Sequence, residues 1–523
     1  MYRTLSLSRI PWLAVASALA MVAACVVLTI ALDQGIQIGR ENHAGMLPVV
    51  RRLLDAAYLP GDFGIEIRAH HHRVFAILVA TLARPLGEQA ALAWLTVAGY
   101  ALVYAGLWRL GAALQLSRSR RLLFGVALAA GAFFLDRGVE ANRFLGNGPI
   151  MPPTFAHALI LFGLDAIVRK RWNLAFALAG ATALLHLQIG AIWWLLLALE
   201  ASRQSVWRRP AAWLPGVAFA LVLVTPALMD LWALAQQGLT HDIGTLDDVA
   251  LRMPQHFEFN GGRVAIVALY LAAFVYICRR WRDRGDSRGD RYAPLVWIAM
   301  ALAALTLLHY LDYYLLGSGW IARLQLLRLS VFLPILSALA LLAALPDPAS
   351  RRFSGWPWFA TGLIAALALG VELYKGEVPR LDVHDYAQDD GDWADVCRWV
   401  RREGPRELYV TPPGQTGFTA WSDRSNLVEF KINPDGGAGL AEWRQRLLAV
   451  NGGTLPQQST RKGVAAALDR NYAQLPTAAY ADLQRDYGVR IAIVPNDSQL
   501  QGRVLYENPG YRVVDLSASI PAR

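Results

Sequence analysis

The sequence predicts an α-helical polytopic membrane protein, with a long first outer loop carrying interfacial helices, followed by a small C-terminal α/β domain. Three observations carry this reading. Long apolar runs recur from Pro11 to Val371, arginine clusters fall on alternate loops between them, and the stretch after Lys375 is mixed in polarity. A run of about 20 apolar residues crosses the roughly 30 Å hydrocarbon core at about 1.5 Å per residue. Composition agrees, with 55% of the 523 residues hydrophobic and 17% charged, where a soluble chain carries about 25%. The domains are therefore expected at 1–374 and 375–523.

The spans follow in order. Arg3 and Arg9 precede the first run, 11–32, and place the N-terminus in the cytoplasm. That run is longer than a signal-peptide core and continues through Cys25, so it is expected to stay as an uncleaved first span. The chain then emerges at Asp33. Met46, Leu47, Val50, Leu53, Leu54 and Ala57 recur at helical spacing opposite Arg51, Arg52 and Asp55, which predicts an amphipathic helix at the interface. The run 74–83 is too short to span comfortably and ends at Arg84-Pro85, so a second interfacial or re-entrant helix is expected there.

Residues 90–112 then cross inward to Arg118, Arg120 and Arg121, 122–135 cross outward, and 154–168 return to Arg169, Lys170 and Arg171. Two short spans flank His186 and come back to Arg203, Arg208 and Arg209. Residues 212–229 exit, 264–278 re-enter to the basic cluster 279–291, 295–308 exit, 321–345 return to Arg351 and Arg352, and 356–371 exit again. This makes about eleven spans with the basic clusters inside and the tail outside. Counting 74–83 as a span would put the later clusters outside. In the tail, Trp393, Val396 and Val400 share a helix face, 440–450 and 482–487 read as helical, and 407–411, 490–494 and 511–514 as strands.

Several function classes drop out. The net charge of +10 sits beside the apolar runs, where it anchors helices, and forms no aromatic-laced basic stripe, so nucleic acid is not expected. Cys25, Cys278 and Cys397 have neither disulfide nor zinc spacing. No phosphate loop, nucleophile elbow or zinc-protease motif occurs in a useful context.

The topology instead gathers polar residues at the outer face: Asp33, Asp62, Glu66, His70, His71, His72, Asp136, Glu140, His186, Asp230, Arg252, His256 and Asp312. Asp33 stands where the first span leaves the bilayer, either facing water or beside lipid headgroups. Asp62 follows Leu59-Pro60-Gly61, where an aspartate serves local turn bonding or chemistry. Asp62 and Glu66 are four apart, so on a helix they could hold a divalent ion or supply a general base. Adjacent histidines point in different directions on a helix, which makes His70 to His72 a weak metal motif. Arg323 and Arg328 belong to the span that begins at Trp320, which puts Arg328 about 12 Å in. A buried arginine there faces a cavity, a phosphate, or an acid such as Asp312. Arg252 to His256 lie on a later outer loop, where a lid would sit. Asp165 precedes Arg169 by four and reads as a helix-side pair.

One span, an acidic outer loop with interfacial helices, many further spans and an external α/β domain resemble the polytopic C-type glycosyltransferases, which use polyprenyl-phosphate-linked sugars. The resemblance implies a first-loop acid, Asp33 or Asp62, as catalytic base or metal ligand, and Arg328 as a phosphate ligand. Glu66, Arg252, His256 and Arg323 complete the expected substrate-binding set. The first loop departs from that family in lacking its usual pair of adjacent acids. The chain is also similar to a family of bacterial multi-pass membrane proteins without an established activity, over Asn42-His43 through Asp62, Arg252 through His256, and Trp393 through Gly453. The expectation is thus a bacterial inner-membrane enzyme with a periplasmic tail. It would move a sugar from a polyprenyl-phosphate donor to a glycan, lipid or protein acceptor on the outer face, with a divalent metal left open. The alternative is a non-enzymatic transporter or assembly subunit for lipid-linked or polysaccharide precursors; a third reading is a sensor with an external ligand-binding domain.

Overall fold

The computed structural model describes residues 12–140, 143–145, 148–236, 252–253, 256–345, 355–434, 437–456 and 461–518. The chain runs from α1 (Trp12–Leu32) through a short strand, β1 (Ile36–Ile38), to α2 (His43–Leu54), α3 (Phe63–Arg68) and α4 (Arg73–Leu86). Then come α5 (Glu88–Ala113), α6 (Arg118–Ala129), α7 (Pro152–Val168), α8 (Trp172–Leu185), α9 (Leu187–Arg203) and α10 (Leu214–Gln236). α11 (Gly261–Asp283), α12 (Ser287–Tyr310), α13 (Phe332–Ala344) and α14 (Trp356–Tyr374) complete the helical body.

Among the described residues, 7 segments are long and apolar enough to cross a membrane: Val15–Leu32, Glu88–Ala113, Leu214–Ala233, Gly261–Asp283, Ser287–Leu316, Leu326–Ala344 and Trp356–Tyr374. The protein is mostly helical and compatible with a multi-pass membrane protein. Apolar side chains such as Val222, Met229 and Trp232 on α10 and Phe359 and Leu367 on α14 face outward, as lipid solvation allows. Helices approach closely where glycine permits: a Cβ on Gly180 of α8 would collide with the Ala220 backbone of α10.

Three expected elements differ. The outward span at 122–135 is instead α6, 12 residues long. It stops because Gly131, Phe133 and Phe134 take left-handed backbone and turn the chain. The span at 321–345 is not one helix. Two 3-10 turns, Ala322–Leu324 and Leu326–Leu329, are separated by left-handed Gln325 (φ 51°), and α-helix begins only at Phe332. Asp312 stabilises this break, its carboxylate accepting from Ile321 N at 2.9 Å and Ala322 N at 2.8 Å. Arg328 therefore sits on an irregular turn, and Asp312 is committed elsewhere. Finally, α2 is a helix but not an open interfacial one. Its apolar residues Met46, Leu47 and Val50 are buried, and Arg51 is paired with Glu88 and Asp423, both at 2.8 Å.

The tail holds β2 (Val383–Asp385), α15 (Asp392–Glu403), β3 (Tyr409–Val410), α16 (Phe418–Ser422), α17 (Gly437–Ala449), α18 (Arg461–Ala473), α19 (Thr477–Tyr487), β4 (Ile491–Pro495), β5 (Arg503–Glu507) and β6 (Tyr511–Asp515). A four-stranded sheet has the order β3-β4-β6-β5, with β3 parallel to β4 and the other pairs antiparallel. Period-two alternation sends Ile491, Ile493 and Val513 to one face, with Val396, Cys397 and Val400 of α15. Ala492, Val494 and Val514 go to the other, with Trp443, Tyr472 and Tyr480. A second, parallel pair joins β1 to β2, Ile36 opposite Val383 through Ile38 opposite Asp385. The first loop is thereby stitched to the tail.

Candidate functional site

The first loop builds one wall of a cavity of about 630 Å³. α3 ends at Arg68, and the chain turns through His70 and His71 to His72, whose left-handed backbone (φ 53°) starts α4. His70 Nδ1 and Arg73 Nη1 reach Asp230 Oδ1 of α10 at 3.1 and 2.8 Å. A second wall is the joint between α8 and α9. There His186 caps α9, its Nδ1 accepting from Ile189 N at 3.4 Å, while Nε2 lies 3.2 Å from Arg328 Nη1. The His186 ring is 4.9 Å from that of His72.

The connection from α6 to α7 adds Glu140, Arg143 and Phe144, on which His157 of α7 stacks at 4.7 Å. Glu140 is buried, and its Oε2 is 3.2 Å from His256 Nδ1. Burial, reinforced by the Arg328 charge, pushes His256 down to about 4, so its imidazole is neutral at pH 7. His72 is likewise driven well below its ordinary value, first by burial and then by its charged neighbours.

The tail closes the cavity with Lys431, Asn433 and Pro434. Arg252 donates to Lys431 O through Nε (3.1 Å) and Nη2 (2.9 Å), and Arg68 Nη1 donates to Asn433 O at 2.9 Å. Lys431 Nζ is 2.5 Å from Glu41 Oε2. Among the described residues that line the cavity, five arginines (68, 73, 143, 252 and 328) and Lys431 thus face three acids, Glu41, Glu140 and Asp230. Val74, Leu185, Ala227 and Leu231 give the same cavity an apolar edge beside the outward-facing Leu78 and Met229. Excess guanidinium in a partly dry site suits a phosphate-type anion, and the apolar edge suits a lipid tail. Among the described residues no group of three His, Cys, Asp or Glu could hold a metal ion.

Of the expected site residues, Arg252, His256 and Arg328 line the cavity, as do His70, His71, His72, Glu140, His186 and Asp230. Asp33 lies one hydrogen bond behind it, accepting from the lining Tyr100 hydroxyl at 3.3 Å. Burial pushes its carboxyl up to about 7, with Tyr100 and Arg143 opposing the shift. Asp62 is elsewhere. It is the N-cap of α3, accepting from Ile65 N at 2.9 Å, and burial raises its carboxyl. Glu66 points to solvent and meets Arg52 at 3.2 Å. The two acids therefore form no shared site, because a cap position and an exposed helix position point apart. Arg323 leans over the Trp320 ring, 5.8 Å from its centroid, and does not line the cavity. Sequence reasoning missed Arg68, Arg73, Arg143 and His157. The first two flank the His70 to His72 run, a usable signal; a lone histidine in an apolar helix gives none.

Residues 391–450 match the family described as Domain of unknown function (DUF6798). The match takes in α15, β3, α16 and the cavity-closing Lys431, Asn433 and Pro434, and it carries no activity. No curated protein matches the chain at a significant level.

Proposed function

We propose that the chain is an inner-membrane glycosyltransferase of the C type, which takes a sugar from a polyprenyl-phosphate donor and passes it to an acceptor on the outer face. The observation that supports this reading most is a cation-rich cavity whose one edge is apolar and lies among outward-facing helices. In this reading Arg328, Arg68 and Arg143 hold the donor phosphate while the prenyl chain leaves past α4 and α10. The acceptor oxygen attacks the anomeric carbon, the carbon–oxygen bond to phosphate breaks, and the arginines stabilise the departing anion. The acceptor proton passes to the Glu140–His256 pair, which faces the cavity, whereas Asp33 reaches it only through Tyr100. In this reading α7, α8 and α9, and α6 together with the turn at 130–135 that extends it, cross in addition to the seven long segments, about eleven crossings, with the N-terminus cytoplasmic and residues 375–523 as a periplasmic α/β domain.

Native mass spectrometry of the purified protein beside Arg328→Ala tests it. A polyprenyl phosphate or its glycosylated form, bound by the wild type and lost in the variant, is the expected result. Ordinary phospholipid held equally by both would overturn it. One observation favours a second reading, a transporter or assembly subunit for lipid-linked precursors: neither Asp33 nor Asp62 lines the cavity. Asp33→Asn, Asp62→Asn and Glu140→Gln separate the two, since a transporter tolerates all three and a transferase fails with at least one.

A further inference from the structure

The end of the helical bundle opposite the cavity carries exposed charge of one sign. α8 starts there at Trp172 and runs 14 residues, about 21 Å, to His186 at the cavity wall. α9 returns to that end at Arg203, and α10 leaves it again at Leu214. Two buried acids at this end are already engaged: Asp165 takes Arg169 at 2.7 Å and Arg109 at 3.2 Å, and Glu200 takes Arg203 at 2.6 Å. Lys170, Arg171, Arg208 and Arg209 are exposed, and among the described residues none of them has an acid within ion-pair distance. Asn173 brings the two pairs together, its Nδ2 donating to Ala211 O at 2.9 Å and its Oδ1 accepting from Gly216 N at 3.1 Å. An aromatic block backs them. The Trp207 ring is 5.0 Å from that of Trp213 and 5.5 Å from that of Phe176, and both tryptophans are partly exposed. Beside them Leu174 and Leu214 face outward.

We propose that this patch binds an anionic phospholipid, with the headgroup phosphate among Lys170, Arg171, Arg208 and Arg209 and the acyl chains along Leu174 and Leu214. The chemistry follows from the order of the parts across the membrane boundary. Tryptophan rings seat at the headgroup level with their N–H groups toward polar partners. Here Trp207 Nε1 donates to Ser202 Oγ at 2.8 Å and Trp213 Nε1 to Trp207 O at 3.4 Å. Cations beside such rings meet lipid phosphates, and each guanidinium offers a planar fork to two phosphate oxygens. A zwitterionic headgroup carries its own ammonium and leaves the excess charge in place, so a net negative lipid is preferred. The basic stretch 279–291, which joins α11 to α12 at the same end, is not equivalent. Asp283, Asp286 and Asp290 lie within it, and Asp286 holds Arg288 at 2.6 Å. A lipid at the patch ties α8 to the 206–213 connection and so braces the two helices whose joint forms a cavity wall. The inference does not depend on the transferase reading.

The test is native mass spectrometry of the full chain ejected from nanodiscs of equal parts phosphatidylcholine and phosphatidylglycerol. The wild type should retain phosphatidylglycerol over phosphatidylcholine by about tenfold. Raising ammonium acetate from about 0.05 M to about 0.5 M should cut that preference severalfold. Lys170→Gln, Arg171→Gln, Arg208→Gln and Arg209→Gln together should abolish it, and because all four side chains are exposed the fold should tolerate the change. The control is Arg279→Gln, Arg282→Gln and Arg284→Gln together, equally exposed cations at the same end, which should leave the preference within about twofold. Glycerophosphoglycerol, the same headgroup without chains, should not displace the bound lipid even in excess. No preference in the wild type, a preference indifferent to salt, an undiminished preference in the folded quadruple variant, or an equal loss in the control would each overturn the site. Displacement by the chainless headgroup would overturn the lipid in favour of a free anion.

Discussion

Arg68 lies between two charged regions that use the same residue types differently. At the seam between first loop and tail, charges meet in pairs: Arg51 with Glu88 and Asp423, Arg401 with Asp423, and Tyr58 donating to Asp423. Among the described residues of the cavity, cations outnumber acids, and those acids are turned to particular partners, Glu140 to His256 and Asp230 to Arg73. Paired charge fixes the position of one region on another. Buried charge is costly to hold without hydrogen-bonding partners, and the fold supplies some of them by clamping Arg252 and Arg68 onto tail carbonyls. The seam is thus the support of the cavity, and in the proposed reading the cavity is where a ligand contributes.

The largest expected effect breaks the support. Trp443 is fully buried beneath the sheet and donates to Glu429 O at 3.1 Å. Trp443→Ala should cost about 4 kcal/mol and loosen the segment that closes the cavity, so thermal stability in detergent and anion affinity fall together. A stability loss with undiminished affinity would separate seam from cavity.

Next comes a pH effect confined to the seam. Glu429 accepts from Gly417 N at 3.0 Å, and burial pushes its carboxyl from 4.5 up to about 7. Asp62 beside it is raised by the same cause. Between those values the folded chain holds a proton that the unfolded chain has released. The stabilisation is therefore complete below about pH 4.5 and lost as pH rises through about 7, a change of about 3 kcal/mol. Melting temperature should drop between pH 5 and 8 in the wild type, and the drop should be smaller in Glu429→Gln. Parallel profiles would show that Glu429 is not what makes the seam sensitive.

These two regions are unequally legible in the sequence. Apolar period and charge by themselves place His186, Arg252 and His256 on one face, with Arg328 about 12 Å into a span, because a membrane restricts which loops can meet. The seam has no such signal. Ile36-Gln37-Ile38 and Val383-His384-Asp385 are too short to show a strand period, and the role of Asp62 depends on a six-residue helix. The break at Gln325 is hidden inside an apolar run. It is supported from afar: Val139 N donates to Ser330 Oγ at 3.1 Å, and a Cβ on Gly138 would collide with that oxygen. Contact of that kind depends on tertiary approach, which hydropathy does not encode.

A smaller effect sharpens the cavity side. Arg328 donates through Nε to Gln325 Oε1 at 2.5 Å and presents Nη1 at His186. Arg328→Lys keeps the charge but loses the planar fork. Affinity for a small phosphate diester such as dimethyl phosphate should fall about tenfold, about 1.4 kcal/mol, with melting temperature nearly unchanged. Equal affinity would mean that the site reads charge alone.

The smallest expected effect bears on where the ligand ends. Glu66 and Arg323 belong to the substrate-binding set implied by the sequence, yet neither lines the cavity. The Glu66 carboxylate meets Arg52 in solvent at 3.2 Å, and such pairs contribute under about 1 kcal/mol. Glu66→Gln should change melting temperature and diester affinity very little, within about 0.5 kcal/mol for each. The informative measurement is turnover or binding with a full-length acceptor present. A tenfold loss there, with the small diesters unaffected, would carry the binding surface out of the cavity and over α3. The first loop would then be part of the acceptor site, and the division between a seam that holds and a cavity that binds would have to move outward to include it.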